Sequence, residues 1–209
     1  MPVYAVGITG GSGAPYALRL LDALLATGHE VHAVISPAGE TVVQLETGVN
    51  LRGTLREKEA ALARAVAADD KPGRLRVFDH QNLAAPVSSG SFPCAGTAVV
   101  PCSAGSLGRI AAGISSNLIE RAADVALKER RPLVLVPRET PLSDIHLENM
   151  LRLRRAGADI VAAMPAFYHR PESVADMVDM IVGRVLDRLG IENSLFHRWG
   201  KSGGPQEGE

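Results

Sequence analysis

Most of the residues able to do chemistry lie in Thr9 to Gly13, Ser36, Pro101 to Ser106, Pro137 to Pro141 and Pro165 to Pro171. The first of these, Thr9-Gly10-Gly11-Ser12-Gly13, joins an apolar run, Val3 to Ile8, to a helical pattern from Ala14 to Ala26. Glycine at such a turn lets backbone N–H groups approach an anion, and the helix start behind it adds about half a unit of positive charge. A phosphate-bearing ligand near Gly10 is therefore expected. The loop departs from the dinucleotide pattern G-x-G-x-x-G: read from Gly11, Tyr16 stands where the third Gly or Ala belongs, and read from Gly10, Ser12 replaces the second Gly. Dinucleotide sites also place Asp or Glu about 20 residues on, at the end of the second strand. Here that strand, Glu30 to Ile35, ends in Ser36, whose hydroxyl suits a phosphate better than a ribose. Gly200-Lys201-Ser202 makes no phosphate-binding lysine loop, because Leu195 occupies the first glycine position. The loop reads either as an ordinary tight βα turn or as a ligand site, and for a ligand a mononucleotide is expected rather than a dinucleotide.

Ser103-Ala104-Gly105-Ser106 opens another helix with two hydroxyls, either as a second anion-binding turn or as a simple helix cap. Arg138 and Glu139 follow a buried strand and sit between prolines, as charges held at a sheet edge or as a surface ion pair. Tyr168 follows another strand end and either donates to a phosphate or caps the sheet. Arg184, seven residues after Met177 and three after Ile181, is expected on the apolar face of the last helix. There it needs a counter-charge, from a substrate phosphate or from a neighbouring Asp or Glu. His146, Cys94 and Cys102 form no triad order and no metal-ligand spacing; Cys102 after Val-Val-Pro reads as a buried packing residue.

The elements that must position these loops alternate along the chain. Strands are expected at residues 3–8, 30–35, 74–78, 97–100, 133–136 and 159–162. Helices are expected at 14–26, 39–48, 52–72 (ended by Lys71-Pro72-Gly73), after Ser106, and at 118–129, 144–156 and 172–189. This order calls for a single-domain α/β fold: a doubly wound parallel sheet in a Rossmann or flavodoxin-like three-layer sandwich. Residues 1–190 form the expected domain and 191–209 a C-terminal extension, of which 200–209 is Gly-rich, polar and reads as disordered. The net charge of −1 leaves no basic footprint for nucleic acid. No apolar run reaches membrane-spanning length and no signal peptide precedes the first strand, so a cytoplasmic protein is expected.

Several segments together resemble a known family. They are Thr9 to Ala14, Ser88-Ser89-Gly90-Ser91-Phe92, Val100 to Ser103, Asn117 to Ala126, the run from Leu127-Lys128-Glu129-Arg130-Arg131-Pro132 to Arg138-Glu139-Thr140-Pro141, and Pro165 to Pro171. Across residues 3–190 the chain resembles the UbiX-type flavin prenyltransferases, once described as 3-octaprenyl-4-hydroxybenzoate carboxy-lyases. The resemblance implies reduced FMN as prenyl acceptor and dimethylallyl monophosphate as donor. The product would be prenylated FMN, made without a metal, for UbiD-type decarboxylases that include those of ubiquinone biosynthesis. It also implies a homo-oligomer, a dodecamer, with sites at subunit interfaces. By position it places Gly10, Gly11, Ser12, Ser36, Ser103, Ala104, Gly105, Ser106 and Arg138 at FMN. Lys128, Tyr168 and Arg184 would hold the dimethylallyl phosphate, and Ser12, Glu46, Arg121 and Glu139 match catalytic positions. Leu83 stands where some relatives carry Trp.

Two other readings use the same flavin loops. An FMN-dependent cysteine decarboxylase would need an Asn in a Pro-x-Met-Asn-type motif, where this chain has Met164-Pro165-Ala166-Phe167. A non-catalytic flavin carrier would leave Lys128, Tyr168 and Arg184 without an anion to bind.

Overall fold

The computed structural model describes residues 1–200. Strands β1 (Val3–Ile8), β2 (Glu30–Ile35), β3 (Arg74–Phe78), β4 (Cys94–Cys102), β5 (Leu133–Pro137) and β6 (Asp159–Ile160) form one sheet in the order β3-β2-β1-β4-β5-β6. Every neighbouring pair is parallel. Helices α1 (Ala14–Ala26), α2 (Pro37–Thr47), α3 (Leu55–Ala65), α4 (Ala104–Ala111), α5 (Leu118–Lys128), α6 (Asp144–Ala156) and α7 (Val174–Arg188) make the connections and the C-terminal layer. The strand order reverses between β1 and β4, and in open sheets of this kind ligands bind beyond the carboxyl ends of the strands at that reversal.

Alternation along the strands divides the core between two faces. Tyr4, Val6 and Ile8 of β1, with Ala98 and Val100 of β4, pack with Leu20 and Leu24 of α1 and Val182 and Val185 of α7. Ala5, Val99, Leu133 and Leu135 point the other way, toward Leu107 of α4, Leu118 and Ile119 of α5, and Leu153 of α6. Side chains buried on both faces explain why the strands read as continuous apolar runs.

Three elements differ from expectation. Within 52–72 the helix covers only Leu55–Ala65. Thr54 starts it through a capping box with Glu57, and a left-handed Ala67 turns the chain into a short 3₁₀ segment at Ala68–Asp70. Strand β4 is longer than expected because Cys94 also pairs with Val3. Strand β6 is shorter; beyond Ile160 only the Val161 and Ala163 N–H groups still reach β5, at Leu135 and Pro137. The expected disorder of 200–209 falls, from Lys201 on, outside the described residues.

Candidate active site

At the strand reversal lies a cavity of about 400 Å³ lined by Thr9, Gly10, Ser36, Ser103, Ser106 and Asn117 among others. Each polar wall has a local cause. Ser36 caps α2 by accepting from Gly39 N at 3.0 Å, Ser103 caps α4 by accepting from Ser106 N at 3.3 Å, and Asn117 caps α5 by accepting from Glu120 N at 3.1 Å. Three helix starts thus open on one cavity. Thr9 ties the floor together: its hydroxyl donates to Pro101 O and accepts from Ser103 N, both at 2.8 Å, which fixes the β1 loop against the β4 loop. Gly10 permits the close approach of α2, because a Cβ there would stand 2.6 Å from Ala38 Cβ. Gly13 has φ 129°, a conformation that glycine alone adopts without strain. Gly11 makes only ordinary contacts with Ser103 and Pro101, so space does not require a glycine there.

The start of α1 is not the open anion seat that the sequence leads one to expect. Gly13 N and Ala14 N donate to Glu46 Oε2 at 2.9 and 2.7 Å, so a carboxylate from α2 already occupies it. Burial raises the Glu46 pKa. Hydrogen bonds from Ser12 and the two N–H groups, with the nearby Arg138 charge, outweigh that and hold it below the ordinary value. Arg138 Nε donates to Ser12 O at 3.3 Å. The loop, α2 and the end of β5 thus place Ser12, Glu46 and Arg138 together as one charged group. Arg138 makes no ion pair with Glu139; Glu139 is exposed and accepts from its own neighbour, Thr140 N, at 3.2 Å.

Residues that the loop reading missed complete the cavity. Arg109, one face of α4, lines it, and so does His80, from the segment after β3. Arg109 Nε donates to Glu120, and Nη2 donates to Ser106 Oγ at 3.2 Å. Glu120 is fully buried and also accepts from Ser116 N and Oγ, at 3.0 and 2.6 Å. Burial pushes its carboxyl up, but these donors outweigh it and keep the group ionised. Burial lowers His80, against the pull of the Glu120 and Asp79 charges. The Asn117-x-x-Glu120 spacing is a legible cap signal. Nothing in the sequence marks Arg109, since its partner lies on another helix.

The remaining expected site residues stand elsewhere on the chain. Arg121 donates from Nε to Ser88 O at 3.0 Å and pairs with Asp124, while Arg131 donates to Gly90 O and Phe92 O. The two arginines pin the Ser88 to Phe92 loop against α5. Lys128 pairs with Glu129 beside that loop. It follows Leu118 by ten residues, roughly 15 Å along the helix from the cavity. Tyr168 packs edge-on to His169 and Trp199 beyond β6. The expectation for Arg184 is corrected: it is exposed, and Asp187 supplies its counter-charge at 3.0 Å. The buried arc of α7 runs through Val178, Ile181, Val182, Val185 and Leu186, and the phase of the helix turns position 184 outward. Among the described residues no hydrogen bond joins Lys128, Tyr168 or Arg184 to one another or to the cavity.

The cysteines and His146 have structural places. Cys102 is fully buried, which pushes its thiol up to about 12. Cys94 is buried and donates to Gly96 O at 3.2 Å. His146 accepts from Ser143 N in the capping box of α6.

A parallel 3-2-1-4-5-6 sheet with a hydroxyl-lined cavity at its reversal, but no ribose-binding acid after β2, has the architecture of a mononucleotide-binding protein. In agreement, the sequence model of the family described as Flavoprotein matches residues 3–186. A flavin prenyltransferase UbiX of Pseudomonas aeruginosa is 50% identical over 196 residues, covering 94% of this chain and 93% of that protein. Among solved structures, AnUbiX (PadA1) in complex with FMN and dimethylallyl pyrophosphate aligns with a TM-score of 0.84 and 42% identity, over 95% of this chain and 97% of that one. A dodecameric FMN-dependent UbiX-like decarboxylase from Escherichia coli O157:H7 aligns with a TM-score of 0.82 and 44% identity, over 94% and 98%. The chain belongs to the UbiX family of flavin prenyltransferases.

Proposed function

We propose that the protein joins the dimethylallyl group of dimethylallyl monophosphate to N5 and then C6 of reduced FMN, and hands the prenylated FMN to a UbiD-type decarboxylase. The observation that carries this reading is the cavity where Gly10, Ser36, Ser103 and Ser106, all residues of the flavin motifs, meet at the strand reversal. Its volume of about 400 Å³ and its converging hydroxyls and helix starts fit a flavin mononucleotide. Gly11, Ala104, Gly105 and Arg138 complete that wall in the proposal. Reduced FMN supplies a nucleophilic nitrogen and, beside it, a ring carbon for closure.

The protein's part is positioning and charge. Ser12, Glu46 and Arg138, joined through one loop, face the reacting part of the flavin. When the allylic C–O bond breaks, its electron pair leaves with the phosphate, and Lys128, Tyr168 and Arg184 stabilise the growing anion in place of a metal. The departing phosphate takes the proton that N5 gives up. Closure then consumes the allyl double bond, which gains a proton at its inner carbon as its outer carbon bonds to C6. The proton that C6 loses goes to Glu139, its exposed carboxylate lying beside Arg138 in sequence. Arg121 acts by fixing the Ser88 loop. Because Lys128, Tyr168 and Arg184 lie away from the cavity of their own chain, the proposal takes them from neighbouring copies in a homo-oligomer, a dodecamer. No helix among the described residues is long and apolar enough to cross a membrane; action in the cytoplasm is part of the proposal.

The test is anaerobic incubation with reduced FMN and dimethylallyl monophosphate, followed by mass analysis of the released flavin. The flavin should be heavier by one five-carbon prenyl unit. Binding of FMN with an unchanged flavin mass would leave a flavin carrier and sink the transferase reading. If Glu139→Gln closed the ring at the normal rate, the role given to Glu139 would be lost.

A further inference from the structure

We infer that Arg109, held in place by the buried Glu120, is the residue that selects a flavin carrying a phosphate monoester, by clamping that phosphate at the Ser36–Ser103–Ser106 end of the cavity. The inference rests on the flavin reading above and adds to it a residue outside the family's flavin motifs.

The two ends of the site differ in what they leave free for an anion. At the α1 start the N–H groups of Gly13 and Ala14 are already taken by the Glu46 carboxylate, whose charge also balances that of Arg138 beside it. At the other end the Ser36, Ser103 and Ser106 hydroxyls and the starts of α2, α4 and α5 surround the cavity, and Arg109 is the full positive charge on its wall. The phosphate belongs at that end.

Arg109 is built to meet it. A guanidinium has five N–H donors. Glu120 takes Nε and Ser106 Oγ takes one proton of Nη2, and among the described residues Nη1 has no protein acceptor. The Arg109 side chain is 46% exposed while that of Glu120 is 1% exposed, so the cavity meets the cation and not its counter-charge. Nη1 lies over the first turn of α4, 3.4 Å from where a Gly105 Cβ would be. A cation over a helix start opposes the helix dipole. A phosphate dianion between the two satisfies both, and the planar fork can grip two of its oxygens. Glu120, fixed by Ser116 and Arg109, sets the angle of the fork.

The experiment compares binding of FMN and riboflavin, which differ only in the phosphate, by flavin fluorescence quenching. The proteins are wild type, Arg109→Gln, Arg109→Lys and Glu120→Gln. Arg109→Gln should weaken FMN about 10- to 100-fold and leave riboflavin within about twofold. Arg109→Lys should recover part of the difference, and Glu120→Gln should lower the FMN-to-riboflavin ratio in the same direction. Equal weakening of both ligands by Arg109→Gln, or no change in either, would overturn the inference while leaving the flavin reading intact. Should Arg109→Gln fail to fold, an unchanged ratio in Arg109→Lys and Glu120→Gln overturns it equally. A wild-type protein that binds neither flavin overturns both.

Discussion

Glu46 shows what a single residue can hide. As a sequence position it is one acid in an ordinary helix; in the fold it caps α1, 33 residues back in the chain, and seals one end of the site. Glu46→Gln keeps the shape and removes the charge, and should cost about 0.5–2 kcal/mol at neutral pH, toward the lower end because the side chain is exposed. The sign of its pH dependence follows from its depressed pKa. The stabilisation is present above the ordinary carboxylate range and disappears as pH falls through the lower, folded value. Urea midpoints of wild type and Glu46→Gln should therefore differ at pH 7 and draw together as pH falls through the lowered, folded pKa of Glu46; a gap that stays constant would mean the carboxylate charge plays no part. Cys102 gives a second expectation at this scale. Its thiol, pushed up to about 12 by burial, should resist alkylation in the native protein at mildly alkaline pH and react on unfolding. Ser36 and Ser103 were legible in the residues themselves because a hydroxyl at a helix start is a local signal, and Glu46 was legible only through the family resemblance. Arg109 and His80 were not legible, because their partners are distant in sequence.

Among the elements, strands were the easiest to read. The sheet interior demands apolar runs, and β1 and β2 fall where the apolar residues do, while the edge strand β3 falls where it is expected even though it carries Arg74 and Arg76. Helix phase was harder: Arg184 was placed on the buried stripe from two spacings, whereas all the contacts of α7 turn it to solvent. The extent of α3 was overestimated because an alanine-rich, charged segment favours helix throughout, and only the cap at Thr54 and the left-handed Ala67 set its ends. Glycines mark where elements touch. A Cβ on Gly7 would stand 2.7 Å from Ile119 Cγ2, where α5 crosses β1, and one on Gly39 would stand 2.5 Å from the Ile8 carbonyl oxygen. Gly7→Ala should lower stability by about 1–3 kcal/mol, and Ile119→Ala in the same chain should return part of it, since the clash is with a side-chain tip. Gly39→Ala meets backbone, so no neighbouring truncation should rescue it. Thermal melts of Gly7→Ala, Ile119→Ala and their double variant, and of Gly39→Ala, Ile35→Ala and theirs, check both statements; additive losses in the Gly7→Ala/Ile119→Ala double variant would remove the close-packing account of Gly7.

For the whole molecule, the proposed catalytic groups are spread over more surface than one chain can fold onto one cavity. Arg138 stands at the Thr9–Gly13 loop, while Lys128 ends α5 and Arg184 lies outside α7. Ile145, Met164, Phe167 and Trp199 are large apolar side chains left exposed, of the kind that a second copy covers. If each site takes its flavin half from one copy and its phosphate half from another, inactive chains should complement. Arg138→Ala and Arg184→Ala should each lose at least about 100-fold in prenylation rate. Co-assembled at equal amounts in one oligomer, they should regain about a quarter of wild-type activity, because a quarter of the sites then receive both intact halves. Were both halves drawn from the same chain, every site would carry one lesion and no activity would return. Anaerobic turnover of the co-expressed, purified mixture, set against the two variants mixed only after separate assembly, decides between a site shared by copies and a site complete in each.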